Sequence, residues 1–283
     1  GRVTLDNRIP KPRERVHGGE SVQIDAALEE DPGCLPEAIA LDIVYEDEAL
    51  LVVNKPAGLV MHPAAGNPAG TLQNALLHHD PELAALPRAG IVHRLDKETS
   101  GLLVVARRPG VHRRLVAALQ ARTVTREYLA VVNAVLIAGG RIDAPLGRHP
   151  VDRKRMAVVA SGRPAVTHYR VEERYRAHTL LRVTLETGRT HQIRVHMAYR
   201  RSAVTGDPLY GGRQRLPRGA CGELCAVLQG FRRQALHARR LALAHPEDGR
   251  PMVWEAPLPE DMARLIAALR NDAAVRKDAN ADG

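Results

Sequence analysis

Residues 102–106 are five apolar positions in a row, closed off by Gly101 before them and by Arg107-Arg108-Pro109 after them. A run of that length between breakers predicts a strand buried on both faces. Residues 42–45 and 49–54 flank the acidic triplet Glu46-Asp47-Glu48 and predict a hairpin, which ends at Asn54-Lys55-Pro56-Ala57-Gly58. Thr71 can cap a short helix reaching Leu77. Val111, Leu115, Val116 and Leu119 recur at helical spacing, with Arg113 and Arg114 on the other face. From Tyr128 onward the pattern turns strand-like, over residues 128–132, 155–159, 165–171, 180–185 and 236–244. Residues 190–199 read as a helix capped by Thr190. Pro259 suits the first turn of a last helix with Met262, Leu265, Ile266 and Leu269 on one face. That helix should give way after Arg270 to a polar, fraying tail, residues 271–283.

Strands in runs, with a few helices among them, predict an α+β fold with a mixed, mostly antiparallel sheet. Residues 1–25 hold two short alternating segments joined by the basic turn Lys11-Pro12-Arg13-Glu14-Arg15, too little to enclose a core alone. Residues 26–40, acidic and punctuated by Pro32, Gly33 and Pro36, read as a linker, and residues 41–270 as the main domain.

Composition changes this picture in one respect. Lys plus Arg number 41 against 32 Asp plus Glu, a formal charge of +9, which favours a polyanionic partner. Aromatic residues make up only 3%, which argues against a long platform for stacking single-stranded bases. A single everted base needs only one ring. Three cysteines in 283 residues suggest no disulfide framework, and Cys221 and Cys225 are spaced too widely for a redox pair. Thirteen histidines invite a metal, but His191 and His196 are five apart and share no helix face. No metal is expected. No apolar run approaches the roughly 18 residues that cross a bilayer, so no membrane association is expected, and the few cysteines make a reducing cytoplasm the expected compartment.

The polar loop before the buried strand holds the candidate chemistry. Taken alone, Asp96 is an ordinary turn-former or ion-pair partner of Arg94 or Lys97. Its setting says more. His93-Arg94-Leu95-Asp96-Lys97-Glu98-Thr99-Ser100-Gly101 resembles the signature loop of the RluA family of RNA pseudouridine synthases, in which the aspartate is the essential catalytic residue. Asn54-Lys55-Pro56-Ala57-Gly58 with Val60-Met61-His62-Pro63, then Arg126-Glu127-Tyr128, are similar to family blocks. So are Glu186-Thr187-Gly188-Arg189-Thr190-His191-Gln192-Ile193-Arg194-Val195-His196 and Gly206-Asp207-Pro208-Leu209-Tyr210-Gly211-Gly212, in the family's order. Arg233-Gln234-Ala235-Leu236-His237-Ala238 and residues 254–262 resemble the RluD branch, which acts on large-subunit ribosomal RNA.

The resemblance implies the pseudouridine synthase fold, a sheet in two halves around a central cleft. It also implies that residues 1–25 are the C-terminal half of an S4-type RNA-binding module whose helical half would lie upstream. The implied substrate is 23S ribosomal RNA, at a stem-loop such as helix 69; a monomer is expected. The reaction breaks the bond from ribose C1′ to N1, turns the uracil and rejoins it through C5. It needs neither redox chemistry nor an external nucleophile, so no cofactor is expected. Asp96 would attack C1′ or deprotonate C2′, two routes the sequence leaves open. Arg189 is assigned to hold Asp96 ionised, Tyr128 to stack on the uracil and to serve as a candidate for proton removal at C5. Arg94 would enter the RNA where the base was flipped out. Ile193 would wall the pocket, and His93 and Arg126 join the RNA-contacting set. Arg194, Arg201, Arg213, Arg215, Arg232 and Arg233 add basic character around these motifs. Rival readings are a synthase of the same family acting on another ribosomal or transfer RNA site, a non-catalytic ribosome-assembly factor, and a glycosidase. The last would need a second carboxyl group near Asp96, for which Glu98 is the local candidate.

Overall fold

The computed structural model describes residues 3–11, 13–25, 34–64, 66–212 and 216–281, and the chain forms two compact units, Gly1–Leu35 and Pro36–Gly283. In the first unit β1 (Val3–Leu5) pairs antiparallel with β2 (Val22–Ile24). Most of the expected linker, residues 26–33, lies outside the described residues, as do Arg213 and Arg215.

The second unit opens with the predicted hairpin, β3 (Ile43–Glu46) and β4 (Leu50–Lys55). Asp47 fixes its turn by accepting the amides of Ala49 and Leu50, both at 2.8 Å. Thr71 caps α1 (Leu72–His79) in a capping box: Asn74 Oδ1 accepts the Thr71 amide at 3.0 Å while Thr71 Oγ1 accepts the Asn74 amide. All seven residues of β5 (Ser100–Ala106) are buried. On one face of β5 lies α2 (Pro109–Gln120), whose Val111 and Leu115 join Leu50, Val52, Leu102, Val104 and Trp254 in one core cluster.

The chain continues through β6 (Thr125–Val132), β7 (Gly140–Asp143), β8 (Leu146–Arg148), β9 (Met156–Val158), β10 (Val166–Arg174) and β11 (Thr179–Leu185). Then come α3 (Gln192–Tyr199), α4 (Gly222–Gly230), β12 (Leu236–Ala244), β13 (Pro251–Glu255) and α5 (Glu260–Ala281). One nine-stranded sheet runs β3-β4-β5-β12-β6-β11-β10-β7, with β13 added beside β12. Every pairing in it is antiparallel except the short contact of β12 with β5, His237 opposite Ser100 and Ala238 opposite Gly101. Gly101, at φ +113°, is required there, because a Cβ would lie 2.2 Å from the Ala238 carbonyl oxygen. From Arg240 onward β12 exchanges β5 for β13. The sheet therefore divides into two halves, and the cleft opens where the loop before β5, strand β6 and the start of α3 converge.

Three features differ from the sequence reading. Strands β7, β8 and β13 and helix α4 were not predicted; all are short and owe their form to partners that periodicity does not display. Helix α3 begins at Gln192, not Thr190, after His191 in a left-handed conformation (φ 57°) that makes no side-chain cap bond. Helix α5 does not stop at Arg270 but continues to Ala281. Asp272, 4% exposed, ties down the start of the extension: it accepts Arg176 Nε at 2.9 Å and the Cys221 amide at 2.8 Å, so tertiary bonds carry the helix past Arg270.

Candidate active site

The loop between His93 and Thr99 is tied down from several sides. The Thr99 amide donates to the Asp96 carbonyl at 3.0 Å, closing a turn that presents the Asp96 side chain. Lys55 has no exposed surface and gives its ammonium to the carbonyls of Pro56, Leu59 and Lys97 at 2.6, 3.0 and 2.9 Å. Burial pushes the Lys55 pKa down to about 7, with Glu98 and Asp96 opposing. Arg233 Nη1 holds the Glu98 carbonyl at 3.2 Å, and Gln234 Nε2 donates to Thr99 Oγ1 at 3.1 Å. His93 Nε2 accepts the Val104 amide at 3.1 Å. Burial, then the charge of Arg126, push His93 down to about 3, so its ring is neutral.

At the tip of this loop stands a three-member ion cluster. Arg194 donates Nη1 to Asp96 Oδ2 at 2.8 Å, and Nε and Nη2 to Asp207 at 2.7 and 3.0 Å. The side chains of Arg194 and Asp207 are 4% and 0% exposed, that of Asp96 14%. Asp207 is fixed further by the amides of Leu209 and Tyr210. Burial works against the Arg194 charge, but the bond to Asp207 and the charges of Asp96 and Asp207 outweigh it and raise its pKa. The cation that pairs with Asp96 is thus Arg194 and not Arg189. Arg189 lines the same cleft, but its Nε donates to the Pro164 carbonyl at 3.3 Å. The reason is local: the left-handed turn at His191 starts α3 between the two arginines, and only the later one is carried inward.

The cleft measures about 560 Å³, within the usual range of ~300–1,000 Å³ for small-molecule sites. Asp96, Arg94, His93, Arg126, Tyr128, Arg189 and Ile193, every site residue named from the sequence, line it together. Tyr128 on β6 and Ile193 in the first turn of α3 are 5% and 4% exposed. Burial, and secondarily Asp96, raise the Tyr128 pKa against the opposing charge of Arg126, so the phenol is neutral. Arg94 is exposed at the rim. Arg126, two residues before Tyr128 and on the same face of β6, is 8% exposed, and its Nε has no hydrogen-bond partner. Among the described residues no carboxylate lies within 4 Å of it. Gly188 keeps room for that guanidinium, since a Cβ there would lie 2.7 Å from Arg126 Nη1.

Asp207 and His191 are the residues the sequence reading did not assign. Asp207 stands in a quoted block as a carboxylate without a role, which was the available signal. Arg233, grouped with the basic surface, is an internal clamp instead, bound to Asp261 at 2.6 and 2.7 Å. Glu98 does not line the cleft; Glu186 does, but it is spent on Arg122 and His168 at 2.6 and 2.7 Å. A two-carboxylate glycosidase is therefore poorly served. Among the described residues no group of three His, Cys, Asp or Glu is arranged to hold a metal ion, and no helix is long and apolar enough to cross a membrane.

A buried cation holding one oxygen of a cleft carboxylate, beside a neutral buried tyrosine, suits chemistry at a sugar carbon with an aromatic ring against the base. Similarity to known proteins agrees. Residues 49–199 match the family described as RNA pseudouridylate synthase. The ribosomal large subunit pseudouridine synthase D of Xanthomonas campestris pv. campestris is 57% identical over 97% of this chain and 83% of its own length. That of Yersinia pestis is 58% identical over 98% and 86%. Among solved structures, the human RNA pseudouridylate synthase domain containing 4 protein superposes with a TM-score of 0.65 at 25% identity, covering 81% of this chain and 92% of that one. With its motifs, its cleft and these relatives in agreement, the chain belongs to the RNA pseudouridylate synthase family.

Proposed function

We propose that this chain isomerises uridines to pseudouridine in the RNA of the large ribosomal subunit, with the helix 69 stem-loop of 23S ribosomal RNA as the first site to test. The observation that carries the reading is the state of Asp96. One oxygen is bonded to Arg194 at 2.8 Å, and the other takes no hydrogen bond among the described residues, with His191 Nε2 3.9 Å away. Such a carboxylate is oriented by the guanidinium fork, yet keeps a lone pair for the sugar. It attacks C1′ or takes a proton from C2′; either step expels the uracil as an anion, which turns and bonds through C5, and loss of the C5 proton completes the isomer. The substrate preference is supported by the relatives from Xanthomonas campestris pv. campestris and Yersinia pestis, both of them ribosomal large subunit pseudouridine synthases. That substrate also makes the cytoplasm the place of action.

The remaining roles follow from placement. Tyr128 lies against the base, and Ile193 closes the apolar wall. Arg126, a buried guanidinium without a carboxylate partner, is matched to negative charge brought by the substrate, on the departing uracil or an adjacent phosphate. Arg94 and Arg189 at the cleft meet the RNA backbone. The test is release of tritium from C5-labelled, unmodified 23S ribosomal RNA. Wild type should release label and Asp96→Asn none, with both binding the RNA comparably. Equal binding without release by wild type would instead identify a non-catalytic binding protein.

A further inference from the structure

His191 stands beside Asp96 in a geometry that the ion cluster does not explain. Its backbone sits at φ 57°, a strained conformation for a residue with a side chain, and the strain is spent on aiming the imidazole into the cleft. Tyr210 fixes the ring from behind. The phenol oxygen accepts the Met156 amide at 2.8 Å and lies 2.8 Å from His191 Nδ1, the one described acceptor for its own proton. The phenol therefore donates to Nδ1, and in the neutral ring the hydrogen resides on Nε2. Burial disfavours the charged ring, against the pull of Asp96. That nitrogen lies 3.9 Å from Asp96 Oδ1, too far for a hydrogen bond. Both residues line the cleft, and an atom seated to the cleft side of the pair could accept from the nitrogen and donate to the carboxylate. A carbonyl or phosphate oxygen cannot do both; a hydroxyl can.

We infer that His191 Nε2 and Asp96 Oδ1 together grip the 2′-hydroxyl of the target ribose, so that His191 is a substrate-binding residue that selects ribose over deoxyribose at the reacting nucleotide. An oxygen about 2.8 Å from each group bridges the pair from the cleft side. The inference rests on the proposed reaction: with Asp96 at C1′ and C2′, the hydroxyl on C2′ is the sugar's own donor and acceptor within reach, and the same group distinguishes RNA from DNA.

The informative variants are His191→Asn and His191→Gln. Asparagine tolerates the left-handed backbone and can keep the Tyr210 bond at the Nδ1 position, but has nothing where Nε2 was. Glutamine returns a donor near that place. The probe is a synthetic 23S stem-loop that wild type modifies, carrying uridine or 2′-deoxyuridine at the modified position, with equilibrium binding and single-turnover conversion measured for each. Wild type should bind the deoxy RNA roughly 10-fold or more weakly than the ribo RNA. His191→Asn should bind both alike and convert the ribo RNA about 10- to 100-fold more slowly, with part of the preference returned by His191→Gln. A loss in His191→Asn that is equal for the two RNAs, leaving the preference intact, overturns the inference and marks a structural role. If wild type converts no uridine in 23S RNA, the functional reading and this inference fall together.

Discussion

Arg194 and Arg233 are both buried guanidiniums bound side-on to a carboxylate, and both bear on the same loop, yet they leave their partners in different states. Arg233 spends Nε and Nη2 on Asp261 at 2.6 and 2.7 Å and Nη1 on the carbonyls of Glu98 and Gln234, both at 3.2 Å. Each of those bonds ends on a group with nothing further to do. Arg194 is anchored by Asp207 in the same fashion, but its remaining nitrogen takes only one oxygen of Asp96. The first centre is a clamp between the loop and α5; the second holds a charge in place and leaves half of it unspent. Reactivity here resides in the interaction that stops short of completion.

Breaking the two centres should therefore hurt in different ways. Arg194→Met leaves Asp207 wholly buried and without its cation, and should lower stability by about 3–5 kcal/mol, read from denaturant midpoints. Asp261→Ala should do less. The Asp261 side chain is 47% exposed, so solvent screens the pair, and a loss of about 1 kcal/mol is expected with little change in turnover. A large fall in turnover without a fall in stability would show that Arg233 is more than a clamp.

Lys55, beneath the same loop, sharpens the comparison through pH. Its pKa is about 7 folded against 10.5 for the free side chain. Between those values the unfolded chain binds more protons than the folded one, so this group makes stability rise as pH climbs from about 7 toward 10.5. Lys55→Met should flatten that part of the curve of stability against pH. An unchanged slope would mean that the three carbonyls keep the ammonium charged. The smallest effect belongs to Arg189→Ala, which should weaken RNA binding a few-fold and reduce the salt dependence by about one ion.

The sequence displayed what depends on neighbours in the chain. The hairpin around residues 46–48, the Thr71 cap and the apolar stripe of α5 are local and legible, though the part of Asn74 in the cap and of Asp47 in the turn is not, and each nominated cleft residue lines the cleft. The pairing of Asp96 was illegible for a physical reason. Arg189 and Arg194 stand five apart in one motif with the same charge, and the choice between them is made by a left-handed residue, His191, that is not glycine. Asp207, which fixes the outcome, arrives from a separate loop. Strand β13, paired with β12 beyond the point where β5 leaves it, was hidden likewise: its place depends on where another strand departs.

The central claim is that Arg194, and not Arg189, holds the reacting carboxylate. Single-turnover release of tritium from C5 by Arg194→Lys and Arg189→Lys, measured side by side, tests it most directly, because lysine keeps the charge in both and removes only the fork. Arg194→Lys should slow release by roughly 100-fold or more, and Arg189→Lys by no more than about threefold. The reverse order would contradict the account.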